Sequence, residues 1–346
     1  MDLDATKKPA MNAVERNFLA EEWKRRSMQL WPHQRDALAA CSRWHRLKRS
    51  RVLVQAPPGT GKTEVACRAA LSYIAASPFG RAVICVSSLA ILGQFHRRLA
   101  ALTRIPIGIE QAQREAGRER LVIASVSSLR GRLSKYAANT LLVLDEAHHA
   151  NEAAEVTQET AQHFDHVLSL TASPWSEGVL EELGKSERVT LRYSEALTSG
   201  LIAPYELKPW IDPVGPFGLV FCSSNQAAKK AAAELRGASW VGIDSGEVST
   251  RIARWRTSQL GLLCANRMLW EGFDEPRCAA VWIDRDTESE IALVQMAGRA
   301  LRYQAGKVAR IYTRTAESRV RLAAAMLRLD LPCSSSPPDW LRPCQR

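Results

Sequence analysis

The chain has 346 residues, 46% hydrophobic and 24% charged, a balance that excludes a fibrous or low-complexity polymer and leaves room for two α/β domains. No stretch approaches the roughly 18 apolar residues of a membrane span, and the polar Met1–Ala10 does not read as a secretory signal, so a cytoplasmic setting is expected. The formal net charge of +11 favours polyanionic partners through counterion release, without choosing among them.

Residues 1–27 read as a flexible start followed by a polar helix. Arg43, His45, Arg46, Lys48, Arg49 and Arg51 then surround Trp44. This cluster is either a nucleic-acid patch with an aromatic platform or a charged helix end before the first strand. The second reading is preferred, because cations at a helix C-terminus are ordinary. From residue 51, short runs rich in Val, Ile and Leu alternate with segments whose apolar residues recur at helical spacing. The strand-like runs are Arg51–Ala56, Ala82–Ser87, Leu121–Ser125, Thr140–Asp145 and Val167–Thr171, with helices such as Gly61–Ala76 and Leu89–Leu102 between them. Such alternation predicts a parallel sheet covered by helices on both faces.

The pattern pauses from about 175 to 215, where Ser176–Arg192 is charged and Pro204, Pro209, Pro213 and Pro216 punctuate the chain. It resumes with Gly218–Cys222, Trp240–Asp244, Gly261–Ala265 and Ala280–Asp284, a second α/β unit. Ser334–Ser336, Pro337 and Pro338 predict a disordered tail from Leu331. The expected organisation is an extension over 1–27, domains over 28–204 and 205–330, and a tail over 331–346. The eight cysteines form no C-x-x-C pair, so neither a zinc site nor a disulfide framework is expected. Cys85, Cys222 and Cys264 sit in apolar runs and read as small buried hydrophobes.

Two motifs carry chemistry on their own. Ala56-Pro57-Pro58-Gly59-Thr60-Gly61-Lys62-Thr63 follows a predicted strand and opens a predicted helix. Glycines there let backbone N–H groups wrap phosphates at a helix N-terminus whose dipole favours anions. Lys62 would reach the β- and γ-phosphates of ATP, and Thr63 would place its hydroxyl on Mg²⁺. Ala56 stands where the general pattern has its first glycine. In Leu141-Leu142-Val143-Leu144-Asp145-Glu146-Ala147-His148-His149, an apolar strand delivers two adjacent carboxylates at its C-terminal end, where α/β sheets place chemistry. Asp145 would hold Mg²⁺ through its water shell, and Glu146 would orient the attacking water.

A phosphate loop followed by Asp-Glu-Ala-His resembles the superfamily II helicases. Further strings resemble that family's motifs in order, across roughly residues 28–315. The resemblance implies two tandem RecA-like domains with ATP in the cleft between them. It implies that Gln34 in Leu30-Trp31-Pro32-His33-Gln34 reads the adenine edge, with Trp31 or Arg35 stacking on the base. Pro58, Gly59, Thr60 and Gly61 join Lys62 and Thr63 in the cofactor site. Ser87 and Gln94, then Ser125 and Ser127, would meet the nucleic-acid backbone in the first domain, and Ser223 in the second. Thr171 and Ser173 in Ser169-Leu170-Thr171-Ala172-Ser173-Pro174 would couple nucleotide state to the Asp145 strand. Gly272 in Trp270-Glu271-Gly272-Phe273-Asp274 would permit close backbone approach, and Asp274 would meet the ATP ribose.

In Gln295-Met296-Ala297-Gly298-Arg299-Ala300-Leu301-Arg302, two arginines three apart are expected on one helix face. Arg302 is the expected arginine finger, Arg299 its partner and Gln295 a coupling residue. The form Asp-Glu-Ala-His-His and the stretch Tyr193–Pro204 look most like the branch holding type III restriction motor subunits and the UvsW and XPB-like proteins. That branch implies a DNA helicase or translocase, with nucleic-acid-stimulated ATPase activity and DNA favoured over RNA. A monomer is expected, and the small size of the chain suggests a protein partner that supplies specificity. An RNA-remodelling ATPase and a degenerate motor serving as a scaffold are the alternatives.

Overall fold

The computed structural model describes residues 30–47, 49–136, 139–147, 163–172, 187–213, 217–242, 248–258, 261–270, 273–328 and 330. The extension expected over 1–27 and the tail from 331 lie outside them. The chain forms two compact units. The first comprises residues up to Thr190 apart from loop residues 57–60, and the second begins at Leu191.

In the first unit α1 (Pro32–Ser42) precedes β1 (Ser50–Gln55), α2 (Lys62–Ala76), β2 (Arg81–Val86), α3 (Leu89–Leu102), β3 (Ile107–Glu110), β4 (Leu121–Ser125), α4 (Val126–Arg130), β5 (Thr140–Leu144), β6 (His166–Thr171) and β7 (Glu187–Thr190). The seven strands are parallel, in the order β3-β4-β2-β5-β6-β1-β7. Each central strand is buried on both faces, which explains its unbroken apolar run. Val52, Val54, Ile84, Val143 and Leu168 face Ala66, Ala69, Ala70 and Ile74 of α2 and Phe95 and Leu99 of α3. On the opposite face Val83, Cys85, Val122, Leu142 and Leu144 pack with Leu129, Tyr136 and Phe164.

The second unit contains α5 (Tyr193–Thr198), β8 (Tyr205–Pro209), β9 (Gly218–Cys222), α6 (Asn225–Glu234), β10 (Ser239–Val241), α7 (Val248–Thr257), β11 (Leu262–Ala265), β12 (Ala280–Asp284), α8 (Glu290–Ala297), β13 (Ala309–Thr313) and α9 (Ala316–Arg328). Its strands are also parallel, in the order β10-β11-β9-β12-β13-β8. Trp282 of β12 stacks on Tyr312 of β13 with centroids 4.9 Å apart, in a core with Val220, Cys222 and Cys264. The expected α/β class, with two parallel sheets flanked by helices, is the fold observed.

The pause expected from about 175 to 215 is not structureless. Its described part holds β7, α5 and β8. Both strands are sheet edges, so half of their backbone groups need no partner and their side chains are largely polar. An edge also tolerates Pro209 at the end of β8. The stretch from Leu191 belongs to the second unit because Ala203 donates its N–H to the Leu301 carbonyl at 2.8 Å and Ile202 bridges Arg302. Trp44 is no aromatic platform. It is buried, edge-on to Tyr73 at 6.0 Å and stacked on His166 at 6.2 Å. Arg51 beside it donates to the carbonyls of Phe164 and Asp165 at 2.9 and 2.8 Å. Cys41, Cys67, Cys85, Cys222, Cys264 and Cys278 are buried free thiols. No helix among the described residues is long and apolar enough to cross a membrane.

Candidate nucleotide and nucleic-acid sites

β1 ends at Gln55, and the chain turns into α2 through Gly59 and Gly61, at φ +89° and +80°. An L side chain pays for that left-handed backbone, so glycine is the residue the turn requires. Gly61 is the N-cap of α2 without a side-chain cap, and Thr60 closes the loop by donating its hydroxyl to the Pro57 carbonyl at 2.7 Å. Lys62 is the first residue of the helix, nearly buried, and its Nζ donates to the Ala56 carbonyl at 3.1 Å. The ammonium is thereby tethered across the loop. Thr63 follows on the first turn, half-buried.

Gln34 packs against this loop. It is 5% exposed, its Oε1 accepts from the Trp31 N–H at 3.1 Å, and its Nε2 donates to the Gly61 carbonyl at 3.4 Å. Trp31, at 36% exposure, stands at the same helix start. The residue expected to read adenine is thus held on the phosphate loop itself and is not a solvated helix-start glutamine.

The acidic pair emerges from β5 one residue earlier than expected, because the strand ends at Leu144. Asp145 N–H donates to the Cys85 carbonyl at 3.1 Å, and Glu146 takes a left-handed φ of +52°. A non-glycine residue there is uncommon and such residues gather at functional turns. Burial, and secondarily the Asp145 charge, push the Cys85 thiol up to about 12. Burial first, with Glu64 and Asp145 contributing, also raises Cys67 on α2. Both thiols are buried and stay protonated near neutral pH.

β6 lies between β1 and β5. Gln55 is in register with Thr171, Leu144 with Ser169, and Ala56 N–H donates to the Thr171 carbonyl at 3.0 Å. Thr171 is buried at the carboxyl edge, hydrogen-bonded to the stem of the phosphate loop and one strand from the acids. Ser173, its expected partner, lies outside the described residues, as do His148, His149 and Gly272. Among the described residues no group of three or more His, Cys, Asp or Glu could hold a metal alone.

In the second unit Arg299 and Arg302 do not share a helix face. α8 stops at Ala297, and Arg299, Ala300 and Leu301 donate backwards to Met296, Ala297 and Gly298, a tighter i→i+3 turn. Arg302 is already in the bridge to Ile202. The two guanidinium groups converge all the same. Arg299 Nη1 and Arg302 Nη2 both donate to the Phe273 carbonyl, at 2.7 and 3.3 Å. Arg299 is 6% exposed and locked by Gln295, whose Oε1 and carbonyl accept from it at 3.1 and 3.2 Å. Arg302 pairs with Asp274 at 2.8 Å. Gln295 is a positioning residue for Arg299, and the Asp274 carboxylate is engaged with an arginine in this structure.

The expected backbone contacts divide by local role. Ser87 and Ser223 are exposed, each one residue before a serine that caps the following helix. Ser88 Oγ accepts from the Ile91 N–H at 3.4 Å, and Ser224 Oγ from the Ala227 N–H at 3.0 Å. Ser125 is itself the cap of α4, accepting from the Ser128 N–H at 3.4 Å, with Ser127 exposed beside it. Gln94 is half-buried on α3. Ser87, Ser125 and Ser223 stand at carboxyl ends of parallel strands, the rim where open α/β sheets bind ligands. Gln55, whose buried amide has no hydrogen-bond partner among the described residues, and Arg285, just after β12, were not expected in the site. A glutamine closing an otherwise apolar strand was the only available signal for Gln55.

Residues 27–176 match the family described as the res subunit of type III restriction enzymes. The chain is 23% identical over 304 residues to a 51.5 kDa protein of a Lactococcus phage (isolate 7-9), covering 74% of this chain and 64% of that protein. It therefore spans somewhat less than two thirds of that relative. Its structure is similar to S. cerevisiae Dbp5 bound to RNA and ADP BeF3, with TM-score 0.68, 16% identity and coverage of 91% and 92% of the two chains. It is also similar to the ATP-dependent Type ISP restriction-modification enzyme LlaBIII bound to DNA, with TM-score 0.68 and 13% identity, over 86% of this chain and 29% of that one. The likeness shows the fold: two parallel-sheet α/β units flanked by helices, as in these neighbours. The family match covers somewhat less than half of the chain and lies within the first unit.

Proposed function

We propose that this chain is an ATP-driven motor on nucleic acid, a DNA helicase or translocase. The observation that carries the reading is the register of β1, β6 and β5, which brings the phosphate loop, Thr171 and the Asp145–Glu146 turn to one sheet edge. Lys62 would exchange the Ala56 carbonyl for phosphate oxygens. Thr63 and Asp145 fit a magnesium ion, which takes oxygen ligands and usually one or two carboxylates together with substrate phosphates. Bound with ATP, the ion would neutralise charge on the β- and γ-phosphates. Glu146 would hold the attacking water, Gln34 the adenine edge and Asp274 the ribose. Arg302, assisted by Arg299, would stabilise charge developing on the γ-phosphate. Gln295 and Thr171, with Ser173, would relay nucleotide state.

Ser87, Gln94, Ser125, Ser127 and Ser223 would meet backbone phosphates, which predicts little sequence preference and marked salt sensitivity. DNA is favoured over RNA because the family match is to a restriction subunit. The likeness to an RNA-bound protein over nearly the whole chain supports an RNA-remodelling ATPase as the second reading. Translocation on duplex without strand separation, under the direction of a protein partner, fits the same site. The deciding experiment compares ATP hydrolysis alone and with single-stranded DNA, duplex DNA and RNA. Stimulation by DNA supports the first reading and stimulation by RNA alone the second. Absence of hydrolysis under every condition would leave a scaffold.

A further inference from the structure

The carboxyl ends of β11, β9 and β12 are neighbours in the second sheet. Ala265 is in register with Phe221, and Asp284 with Cys222, so Asn266, Ser223 and Arg285 leave the sheet at one rim. Arg285 Nη1 donates to Asn266 Oδ1 at 3.2 Å, reaching across the end of β9. The Trp270 ring lies 4.5 Å from the Arg285 guanidinium and 5.7 Å from that of Arg267. Trp270 and Arg285 are half-buried and Arg267 is exposed.

Among the described residues nothing balances the positive charge of this group. Among the described residues no carboxylate pairs with Arg267 or Arg285, and neighbouring Asp284 is engaged with Arg314 at 2.7 Å. Burial, and then the charge of Arg267, bring Arg285 below the usual guanidinium range. Its Nε is buried with no hydrogen-bond partner among the described residues. A buried donor on a fixed charge is costly unless something accepts from it. An aromatic face offsets only about 0.5–2 kcal/mol of such a cost. An oxyanion seated between the two forks would relieve both the repulsion and the missing bond, and guanidinium geometry matches phosphate oxygens.

We propose that Arg267 and Arg285, held in place by Trp270, clamp one backbone phosphate of a nucleic-acid strand beside Ser223. The clamp rests on the motor reading and names residues for its substrate contact. It reads charge and not base identity, so DNA and RNA strands share the chemistry. Trp270 is a positioning residue, because its ring faces the guanidinium groups it orients.

The test uses the full chain and fluorescein-labelled oligo-dT and oligo-U of about 20 nucleotides, with anisotropy titrations across a salt series. Arg267→Gln and Arg285→Gln should each weaken binding about ten-fold. Each should also flatten the slope of log K against log salt by about 0.7, the share of one phosphate on a single strand. Arg310→Gln, an equal loss of charge at an exposed site on β13, should bind as wild type. Trp270→Phe should retain binding and Trp270→Leu should lose it, with melting curves confirming that each variant is folded. Exposed Arg267 carries little folding risk, so its variant alone keeps the test decisive. If wild type binds while the Arg267 and Arg285 variants match Arg310→Gln, the clamp is wrong and the motor reading stands. If wild type binds neither oligonucleotide at low salt, the motor reading falls and takes the clamp with it.

Discussion

Replacing Gly61 by alanine tests whether the phosphate loop and the Gln34 segment form one device. Two costs can be separated. The φ of +80° places an alanine in the left-handed region, at about 1–2 kcal/mol. The added Cβ would also fall inside contact distance of Gln34 Nε2. Gln34 would have to swing away, giving up its bonds to the Gly61 carbonyl and the Trp31 N–H. At about 0.5–1.5 kcal/mol per neutral hydrogen bond, that adds about 1–3 kcal/mol. The expected total is about 2–5 kcal/mol, of which only the backbone part survives when Gln34 is already alanine. A double-mutant cycle over Gly61→Ala and Gln34→Ala should therefore show a coupling of about 1–3 kcal/mol. Urea unfolding measures the stability cycle, and titration with a fluorescent ATP analogue measures its counterpart in nucleotide affinity. Coupling indistinguishable from zero in both would refute the idea that Gln34 is seated on the loop.

Four other outcomes are expected. Lys62→Ala should abolish ATP turnover, since it removes the ammonium tethered at Ala56; normal turnover in a steady-state phosphate-release assay would falsify the site assignment. Glu146→Gln should slow hydrolysis by about 10²–10⁴-fold, the usual share of a positioned base, while nucleotide stays bound; rapid-quench and filter-binding measurements separate the two. Arg302→Ala should spare ATP binding and slow hydrolysis by about 10³–10⁵-fold, whereas equal loss of both would indicate a folding role through its pair with Asp274. Burial pushes the Glu110 carboxyl up, but hydrogen bonds from Tyr136, Lys135 and Arg132 outweigh it and hold the group below its usual range. A depressed carboxylate stabilises the fold above its unfolded pKa, and that contribution fades as pH falls through the folded value. Tyr136→Phe should remove about 1.5–3 kcal/mol at neutral pH, the range for a bond to a charged group, and move acid unfolding to higher pH, read by circular dichroism.

Much of the first unit was legible because its chemistry is local in sequence. The apolar runs of β1, β2, β5 and β6 are buried on both faces, so composition alone marked them as strands of a parallel sheet. The phosphate loop was legible for the same reason: a helix N-terminus and its glycines are neighbours along the chain. Elements at the sheet edges were not legible. β7 and β8 lack an apolar run because an edge strand need not be buried, and the prolines and charges around them read as a pause. The basic cluster around Trp44 left two readings open, since a tryptophan among arginines looks the same whether its ring faces solvent or packs against Tyr73 and His166; the buried ring fits the preferred one, a charged helix end.

The arginines show where sequence stops. Their three-residue spacing suggested a helix face, and only the tertiary structure reveals a tight turn in which Phe273 gathers both guanidinium groups and Asp274 holds one. The phosphate loop, the acidic strand end and the α/β alternation follow from neighbours in the chain. Long-range pairing decided the seating of Gln34 on Gly61, the register of Thr171 beside Gln55, and the meeting of Arg267 and Arg285 around Trp270. A one-residue change of strand register would alter each such pairing while leaving the local composition unchanged.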